Sequence, residues 1–246
     1  RVAGPRRGDP DGREGVISGR GPDRRHHPLD DRLQHFRHTL AFFRADEHRI
    51  AGVPLEHIGD GLLRPLDIGA GEKAHTIHDE YVLPVDATLE AVQPHAHQRA
   101  RQIRAEATLP SGKVVPVIEI SDWDFRWQDV YRYVAPMALP KGTKLSMAIT
   151  YDNSVDNLRN PWQPPRRVFW GQRSADEMGD VWFQVLTKSE RDRQALLAEF
   201  RPKILREDTF GYEREIVREP QVGSLRDSAA MLYLELGNVN KAAEHF

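Results

Sequence analysis

The sequence predicts a mainly β protein, an antiparallel β-sandwich or jelly roll that is followed by a helical C-terminal appendage. From Thr39 onward the chain consists of short runs rich in Val, Ile, Leu, Tyr and Phe, and Gly, Pro or Asp bound each run. This pattern is typical of many short strands. Apolar residues at helical spacing are absent until Thr187, so no helices separate the strands and we expect them to pair antiparallel.

The first two predicted segments are a disordered region and the β-domain. Residues 1–34 are crowded with Gly, Pro, Arg and Asp, and we expect disorder because they cannot bury enough apolar surface to offset the entropy of ordering. Residues 35–186 form the predicted sandwich, with a hairpin turn at LPSGK, 109–113. The predicted strands are residues 40–43, 81–84, 87–93, 102–109, 114–120, 144–151 and 178–186.

Residues 187–220 are predicted to contain one helix and a linker. Ser189 is a candidate N-terminal cap, acidic residues follow it, and apolar residues at helical spacing continue to Phe200. Pro202 is predicted to end this helix, since proline lacks the N–H group that the helix needs.

Residues 221–246 are predicted to form two helices that are separated at Gly237-Asn238. Small and large side chains alternate along one face and resemble a single tetratricopeptide repeat, which implies a protein partner. An ordinary helical hairpin is the alternative, because one repeat cannot show the periodicity. The residues that carry the resemblance are Ala230, Tyr233, Gly237, Ala242 and Phe246.

Composition and charge exclude several classes of function. The 246 residues include 35 Lys and Arg against 37 Asp and Glu, and the formal net charge of −2 provides no basic field for nucleic acid. No apolar run approaches the ~18 residues of a membrane span. There are no cysteines, which excludes disulfides, thiolate metal sites and cysteine nucleophiles. Any metal must therefore bind His, Met or carboxylate side chains.

A pair of histidines at the end of a predicted strand is the first candidate for metal binding. His95 and His97 are two residues apart, so their side chains lie on one face of an extended chain and can share a metal ion. They also share parity with Leu89 and Ala91, which predicts that both point inward if no bulge at Pro94 shifts the register. A chain with 11 histidines produces such a pair by chance, so a third ligand is needed.

Met178 is the candidate third ligand. It opens the last predicted strand, and its thioether is a soft donor that, together with imidazole, favours copper over zinc or magnesium. Methionine is also a common filler of protein cores. The residues alone leave both interpretations open.

The stretch from Pro94 through Val185 resembles the C-terminal domain of the copper type II, ascorbate-dependent monooxygenases, the family of peptidylglycine alpha-hydroxylating monooxygenase and dopamine beta-monooxygenase. The matching sequences are HAH at 95–97, WDFRWQDVYRY at 123–133, PKGTKL at 140–145 and SADEM at 174–178. The resemblance is strongest to a bacterial branch of this family, in which such domains precede tetratricopeptide repeats. The sequences that carry it are YDNSVDNLRNP and WGQRSADEMGD. The resemblance implies that His95, His97 and Met178 bind the copper at which O2 reacts with a substrate C–H bond. It also implies ascorbate as the reductant and a periplasmic or extracellular location.

The resemblance has two further implications. In the family, electrons from ascorbate pass through a second, three-histidine copper in a preceding domain, for which this sequence has no room, so we expect the chain to be a fragment of a longer enzyme. Where peptide-amidating members hold a substrate carboxylate with Arg, Asn and Tyr, this sequence has Gln93, Asp180 and Trp182. An acidic Asp180 would repel a carboxylate. The implied substrate is therefore a small molecule or peptide of unknown identity, and peptide amidation is not expected.

Two other functions are consistent with the sequence. One is a noncatalytic β-sandwich adaptor with a structural histidine pair and a protein-binding helical tail. The other is copper binding without turnover. Stoichiometric uptake of Cu(I) distinguishes the copper proteins from the adaptor, and oxygen consumption with ascorbate distinguishes the enzyme from the copper-binding protein.

Overall fold

The computed structural model describes residues 50–56, 59–60, 64–171 and 173–246. The described chain consists mainly of antiparallel β-sheet followed by three C-terminal helices, which confirms the mainly β prediction. The segment predicted to be disordered and the strand predicted at 40–43 lie outside the described residues. The strands are β1 Ile50–Glu56, β2 Gly59–Asp60, β3 Arg64–Pro65, β4 Asp67–Ile68, β5 His75–Val82, β6 Ala87–Ala96, β7 Ala100–Thr108, β8 Val114–Ile120, β9 Tyr131–Leu139, β10 Lys144–Tyr151, β11 Val168–Phe169 and β12 Gly179–Thr187. The helices are α1 Glu190–Arg218, α2 Gly223–Glu235 and α3 Val239–His245.

Two four-stranded antiparallel sheets enclose the core in a sandwich-like arrangement. One sheet has the order β1-β12-β6-β9 and the other β5-β10-β7-β8. Alternate residues of β10 are buried, as expected for a strand with one face on a core. A single hydrophobic cluster contains side chains from both sheets. Its members include Leu89, Val92, Val181 and Phe183 from the first sheet, and Ile77, Ile103, Leu145 and Ile149 from the second.

Five of the predicted strands, which correspond to β6, β7, β8, β10 and β12, agree with the structure to within a few residues. The strand predicted at 81–84 covers only the end of β5, and β1 to β4 and β11 were not predicted. β8 and β10 have the predicted bounds, whereas β6 continues to Ala96, three residues beyond its predicted end. β9 was not predicted as a strand. Most of its residues are exposed and it contains Pro136, so it lacks the alternating apolar pattern, and as an edge strand it tolerates proline.

A bulge at Glu90 reverses the parity of strand β6. Ala91 pairs with Gln184 and Leu89 pairs with Val185, so Glu90 is an extra residue in the ladder with β12. The ladder with β9 is irregular at the same place. A β-bulge of this kind moves every following side chain to the opposite face.

The reversal corrects the predicted orientation of the histidine pair. Leu89 belongs to the core before the bulge, whereas Val92 and Ala96 belong to it after the bulge. His95 and His97 alternate with these last two residues, so they point away from the space between the sheets. The prediction that both imidazoles point inward is wrong, because the register shifts at Glu90.

Helix α1 is longer than predicted. Ser189 caps it as expected, since its side chain accepts a hydrogen bond from the Asp192 backbone N–H. The prediction that Pro202 ends it is wrong, since the helix has 29 residues and includes the proline. Buried side chains on both sides of the proline, among them Phe200 and Leu205, offset the roughly 3 kcal/mol that proline costs inside a helix.

The last two helices are separated where the sequence predicted. Gly237 has a φ of 75°, a left-handed conformation that glycine adopts without steric cost. Asn238 then caps α3 by accepting a hydrogen bond from the Lys241 backbone N–H. In the part of the chain that the structure describes, no helix combines the length and apolar character needed to cross a membrane.

Candidate metal centre

The predicted site residues are brought together at one end of the paired strands β6 and β12. His95 lies opposite Asp180, and the last pair of the ladder is Ala96 with Gly179. His97 and Met178 directly adjoin this last pair. The six residues singled out by the sequence are Gln93, His95 and His97 on the β6 side and Met178, Asp180 and Trp182 on the β12 side.

Gly179 shows which face of the sheet these side chains occupy. A Cβ atom added at Gly179 would lie 2.1 Å from the Tyr151 hydroxyl and 2.8 Å from Ile149 Cδ1, which belong to the opposite sheet. Gly179 therefore faces the interior of the sandwich. Because side chains alternate along a strand, Asp180 faces outward, on the same side as its cross-strand partner His95.

The imidazole of His95 is oriented by Gln128. His95 Nδ1 forms a short hydrogen bond with Gln128 Oε1. The Gln128 side-chain N–H donates to the carbonyl of Phe125 at 2.9 Å, so its Oε1 is left as the acceptor. Nδ1 of His95 is therefore the protonated nitrogen, and the Nε2 lone pair is free to bind a metal.

The imidazole of His97 has the same tautomer. Its Nδ1 lies 3.3 Å from the carbonyl oxygen of Asp176, which can only accept, so Nδ1 donates and Nε2 carries the lone pair. The Phe125 ring lies edge-on at 5.8 Å between centroids. Trp123 Nε1 donates to the carbonyl of His97 at 3.1 Å. His97 is 4% exposed, so its ring is held between the strand and the segment around Phe125.

These contacts leave an Nε2 lone pair on each of two neighbouring rings. The rings of His95 and His97 are 5.3 Å apart and nearly perpendicular, and each has its Nδ1 engaged by another group. A ligating histidine in a metal site usually donates its second ring N–H in this way, which fixes the ring and the tautomer. The donors therefore suit a borderline or soft metal such as copper.

Met178 is held next to His97 by one carboxylate oxygen. Glu177 Oε1 accepts the backbone N–H of His97 at 2.6 Å and that of Met178 at 3.2 Å. The Tyr151 hydroxyl donates to the Met178 carbonyl at 3.1 Å. The Met178 side chain is partly buried and packs against the hydrophobic core.

Glu177 connects the two strand ends that carry the candidate ligands. Besides the two bonds of Oε1, its Oε2 accepts the backbone N–H of Arg99 at 3.0 Å. The residue is fully buried. Burial raises the pKa of Glu177 to about 8, while these N–H donors and the Arg99 guanidinium lower it. The buried Glu177 side chain thus links the backbone of His97 to that of Met178, and we call it the Glu177 clamp.

Asp180 makes the face beside His95 acidic. It is 5% exposed, and its Oδ1 has no hydrogen-bond partner. Burial raises its pKa to about 6, while the neighbouring His95 and a hydrogen bond from the Trp182 side chain lower it. Gln93, opposite Trp182, is exposed.

A site made only of His and carboxylate ligands is not formed here. Among the described residues, no group of three or more His, Cys, Asp or Glu side chains is arranged to hold a metal ion. Asp180 therefore does not complete a triad with the two histidines. A three-ligand site at this place would need a donor of another type, for which Met178 is the candidate.

The sequence did not reveal the residues that orient the candidate ligands. Gln128 falls in WDFRWQDVYRY, and Asp176 and Glu177 fall in SADEM. Both segments carry the resemblance to the copper monooxygenases, but the resemblance assigns no role to these three residues. Gln128 is 33 residues from His95, and Asp176 is 79 residues from His97. Only the folded chain shows that they meet.

His97 should contribute a loss of stability as the pH falls below 6.5. Burial, and secondarily the nearby His95, lower the pKa of His97 from 6.5 to about 4. The unfolded chain therefore takes up a proton at higher pH than the folded chain. This contribution is complete above pH 6.5 and declines toward pH 4, by about 3 kcal/mol in total.

Urea denaturation of the metal-free protein between pH 7 and pH 4 checks this expectation. His97→Asn lacks the titrating group, so the difference in unfolding free energy between wild type and variant should change with pH in the stated window. A difference that stays constant would show that His97 is not held neutral by burial.

Comparisons with known proteins do not assign the chain to a family. No family model matches it, and no curated protein matches its sequence. The structure of the VP2 subviral particle of infectious bursal disease virus aligns with a TM-score of 0.27 and 9% identity over 58% of this chain and 35% of that chain. A structure of the Gt strain of the same virus gives a TM-score of 0.24 and 10% identity over 56% of this chain and 40% of that chain. The chain thus spans well under half the length of these proteins, and TM-scores this low carry no argument about function.

Proposed function

We propose that this chain is the copper-binding domain of an ascorbate-dependent monooxygenase, with His95, His97 and Met178 as ligands. The observation that carries the proposal is the pair of adjacent imidazoles, each with Nδ1 engaged and Nε2 free. The resemblance of residues 94–185 to the copper type II monooxygenases supports it, as does the sandwich-like fold. The proposal includes a jelly-roll topology for the β-domain and a periplasmic or extracellular location.

The residues of the chain would prepare the site before any metal binds. Gln128 and the Asp176 carbonyl hold the two rings in the tautomer that offers Nε2. Burial keeps His97 neutral at physiological pH, so no proton competes for its nitrogen. Bound copper would supply the activation of O2 for hydroxylation of a C–H bond, with ascorbate as the reductant.

The outer face of β6 and β12 would border the substrate. Gln93 is exposed and Trp182 is partly buried there, whereas the indole N–H of Trp182 is already used by Asp180. A negatively charged group near the copper would meet the acidic Asp180. The proposed substrate is therefore a small molecule or peptide without a carboxylate beside the carbon that is hydroxylated.

The C-terminal helices would serve a different purpose. We propose that α2 and α3 form a tetratricopeptide-like unit that binds a protein partner. The small residues Ala230 and Ala242 are buried between the helices, whereas Phe246 is 72% exposed. Both features support packing against a further helical element.

Anaerobic titration with Cu(I) against a competing chelator tests the proposal. We expect one Cu(I) per chain, and X-ray absorption should show nitrogen and sulfur ligands. Addition of ascorbate and air to the loaded protein should then consume oxygen slowly, because ascorbate would have to reduce the single copper directly. Absence of Cu(I) uptake would favour the noncatalytic adaptor, and uptake without oxygen consumption would indicate a copper-binding protein without turnover.

A further inference from the structure

The loop between β11 and β12 contains three groups on which the candidate metal centre depends. It carries the Asp176 carbonyl that accepts from His97 Nδ1, the Glu177 carboxylate that binds the backbone of His97, and Met178 itself. Its only strand-like contact within the described residues is a bridge between Trp170 and Glu177. Backbone hydrogen bonds from Gly171 to Glu177 and from Glu177 to Phe169 close the loop on itself, and side chains connect it to helix α1.

The C-terminal end of helix α1 makes several of these contacts. Arg218 Nη1 donates to the Trp170 carbonyl at 3.0 Å, and Arg218 Nη2 donates to Asp176 Oδ1 at 2.8 Å. The next residue, Glu219, forms an ion pair with Arg173. One guanidinium thus joins the two ends of the loop.

The packing at this contact leaves little space for the loop to move. A Cβ atom added at Gly171 would lie 2.5 Å from Asp176 Oδ2 and 2.7 Å from Arg218 Nη1. One added at Gly211, in α1, would lie 2.8 Å from the Trp170 indole. Glycine at both positions permits the close approach of helix and loop.

The contact between helix α1 and the loop also includes a buried ion pair. Asp176 is 5% exposed, and its Oδ2 has no hydrogen-bond partner. Arg218 is the cation that pairs with this carboxylate, and Glu215 holds the guanidinium in place at 2.7 Å. Without Arg218 the buried charge would lack its partner, and the loop would have to move to expose it.

We infer that Arg218 is a positioning residue for the candidate metal centre, so that helix α1 forms part of that centre. This inference rests on the proposed function for the identity of the metal, but not for the geometry of His97. If Asp176 turns toward solvent, its carbonyl leaves Nδ1 of His97 and the adjoining Met178 is displaced. Groups that orient metal ligands typically affect metal affinity by about 10- to 100-fold.

The experiment compares Arg218→Gln with Arg193→Gln. Arg193 lies in the same helix, and among the described residues its side chain pairs with Glu190 in the preceding turn, so it is a matched control. Arg218→Gln should weaken Cu(I) binding at least about 10-fold, and Arg193→Gln should not change it. Arg218→Lys, which keeps the charge, should recover part of the affinity.

A second readout needs no metal. Nitrogen-15 NMR of the metal-free protein should show His97 with a protonated Nδ1 in wild type and in Arg193→Gln, but a mixture of tautomers in Arg218→Gln. If Arg218→Gln unfolds, the Lys variant serves for both measurements. An unchanged His97 tautomer and an unchanged affinity would overturn the inference. If wild type binds no Cu(I) but the tautomer responds to Arg218, the proposed function fails while the positioning role stands.

Discussion

Replacement of Glu177 by alanine should lower the free energy of unfolding by roughly 4 kcal/mol. The carboxylate accepts the backbone N–H groups of His97, Arg99 and Met178. All three groups would lose their partner in a place where Glu177 is fully buried. Each unsatisfied buried donor costs about 1–3 kcal/mol. Chemical denaturation at pH 7 measures the effect.

Two further variants make the result specific to the clamp. Glu177→Gln keeps the shape and one oxygen acceptor but turns an N–H2 group toward one of the three donors, so it should cost about half as much. Glu119→Ala removes an exposed carboxylate from β8 and should change stability by less than about 0.5 kcal/mol. Equal effects of Glu177→Ala and Glu119→Ala would contradict the role of the clamp.

Replacement of His95 by alanine should weaken Cu(I) binding by at least about 100-fold, because only one imidazole and the thioether would remain as donors. Met178→Ile should have a smaller effect, about 10-fold, since a thioether is a weaker ligand than imidazole. The similar volumes of Met and Ile should preserve the fold. Competition titration with a Cu(I) chelator measures both affinities.

The control for these variants is His78→Ala. His78 is an exposed residue of β5, in the sheet that does not carry the site, so its removal should leave Cu(I) affinity unchanged. Full affinity in Met178→Ile would show that this side chain serves as part of the core. The three-ligand copper site would then be wrong, since the described residues offer no His, Cys, Asp or Glu group in its place.

Several elements could be predicted because neighbouring residues determine them. β10 alternates buried and partly buried side chains over its whole length, and this period of two is visible in the sequence. Ser189 caps α1, and Gly237 and Asn238 separate α2 from α3, because capping and left-handed turns depend on one residue and its near neighbours. The spacing of His95 and His97 likewise places both rings on one side of an extended chain.

Only the tertiary structure decided the remaining features. The bulge at Glu90 depends on the registers with β12 and β9, and it reversed the face on which the histidines lie. Pro202 stays inside α1 because buried neighbours compensate for its lost hydrogen bond. Neither effect is encoded in a local pattern.

The candidate site also combines features that the sequence determined with features that only the tertiary structure decided. The sequence by itself determined the types of candidate donor, two imidazoles and a thioether, which would favour a metal that accepts soft ligands. The tertiary structure decided which ring nitrogens are free, because Gln128 and the Asp176 carbonyl come from distant parts of the chain. It also brought Arg218 from the end of α1 to the loop that carries Met178. Contacts between residues far apart in sequence form only when the chain closes on its core, so no local pattern predicts them.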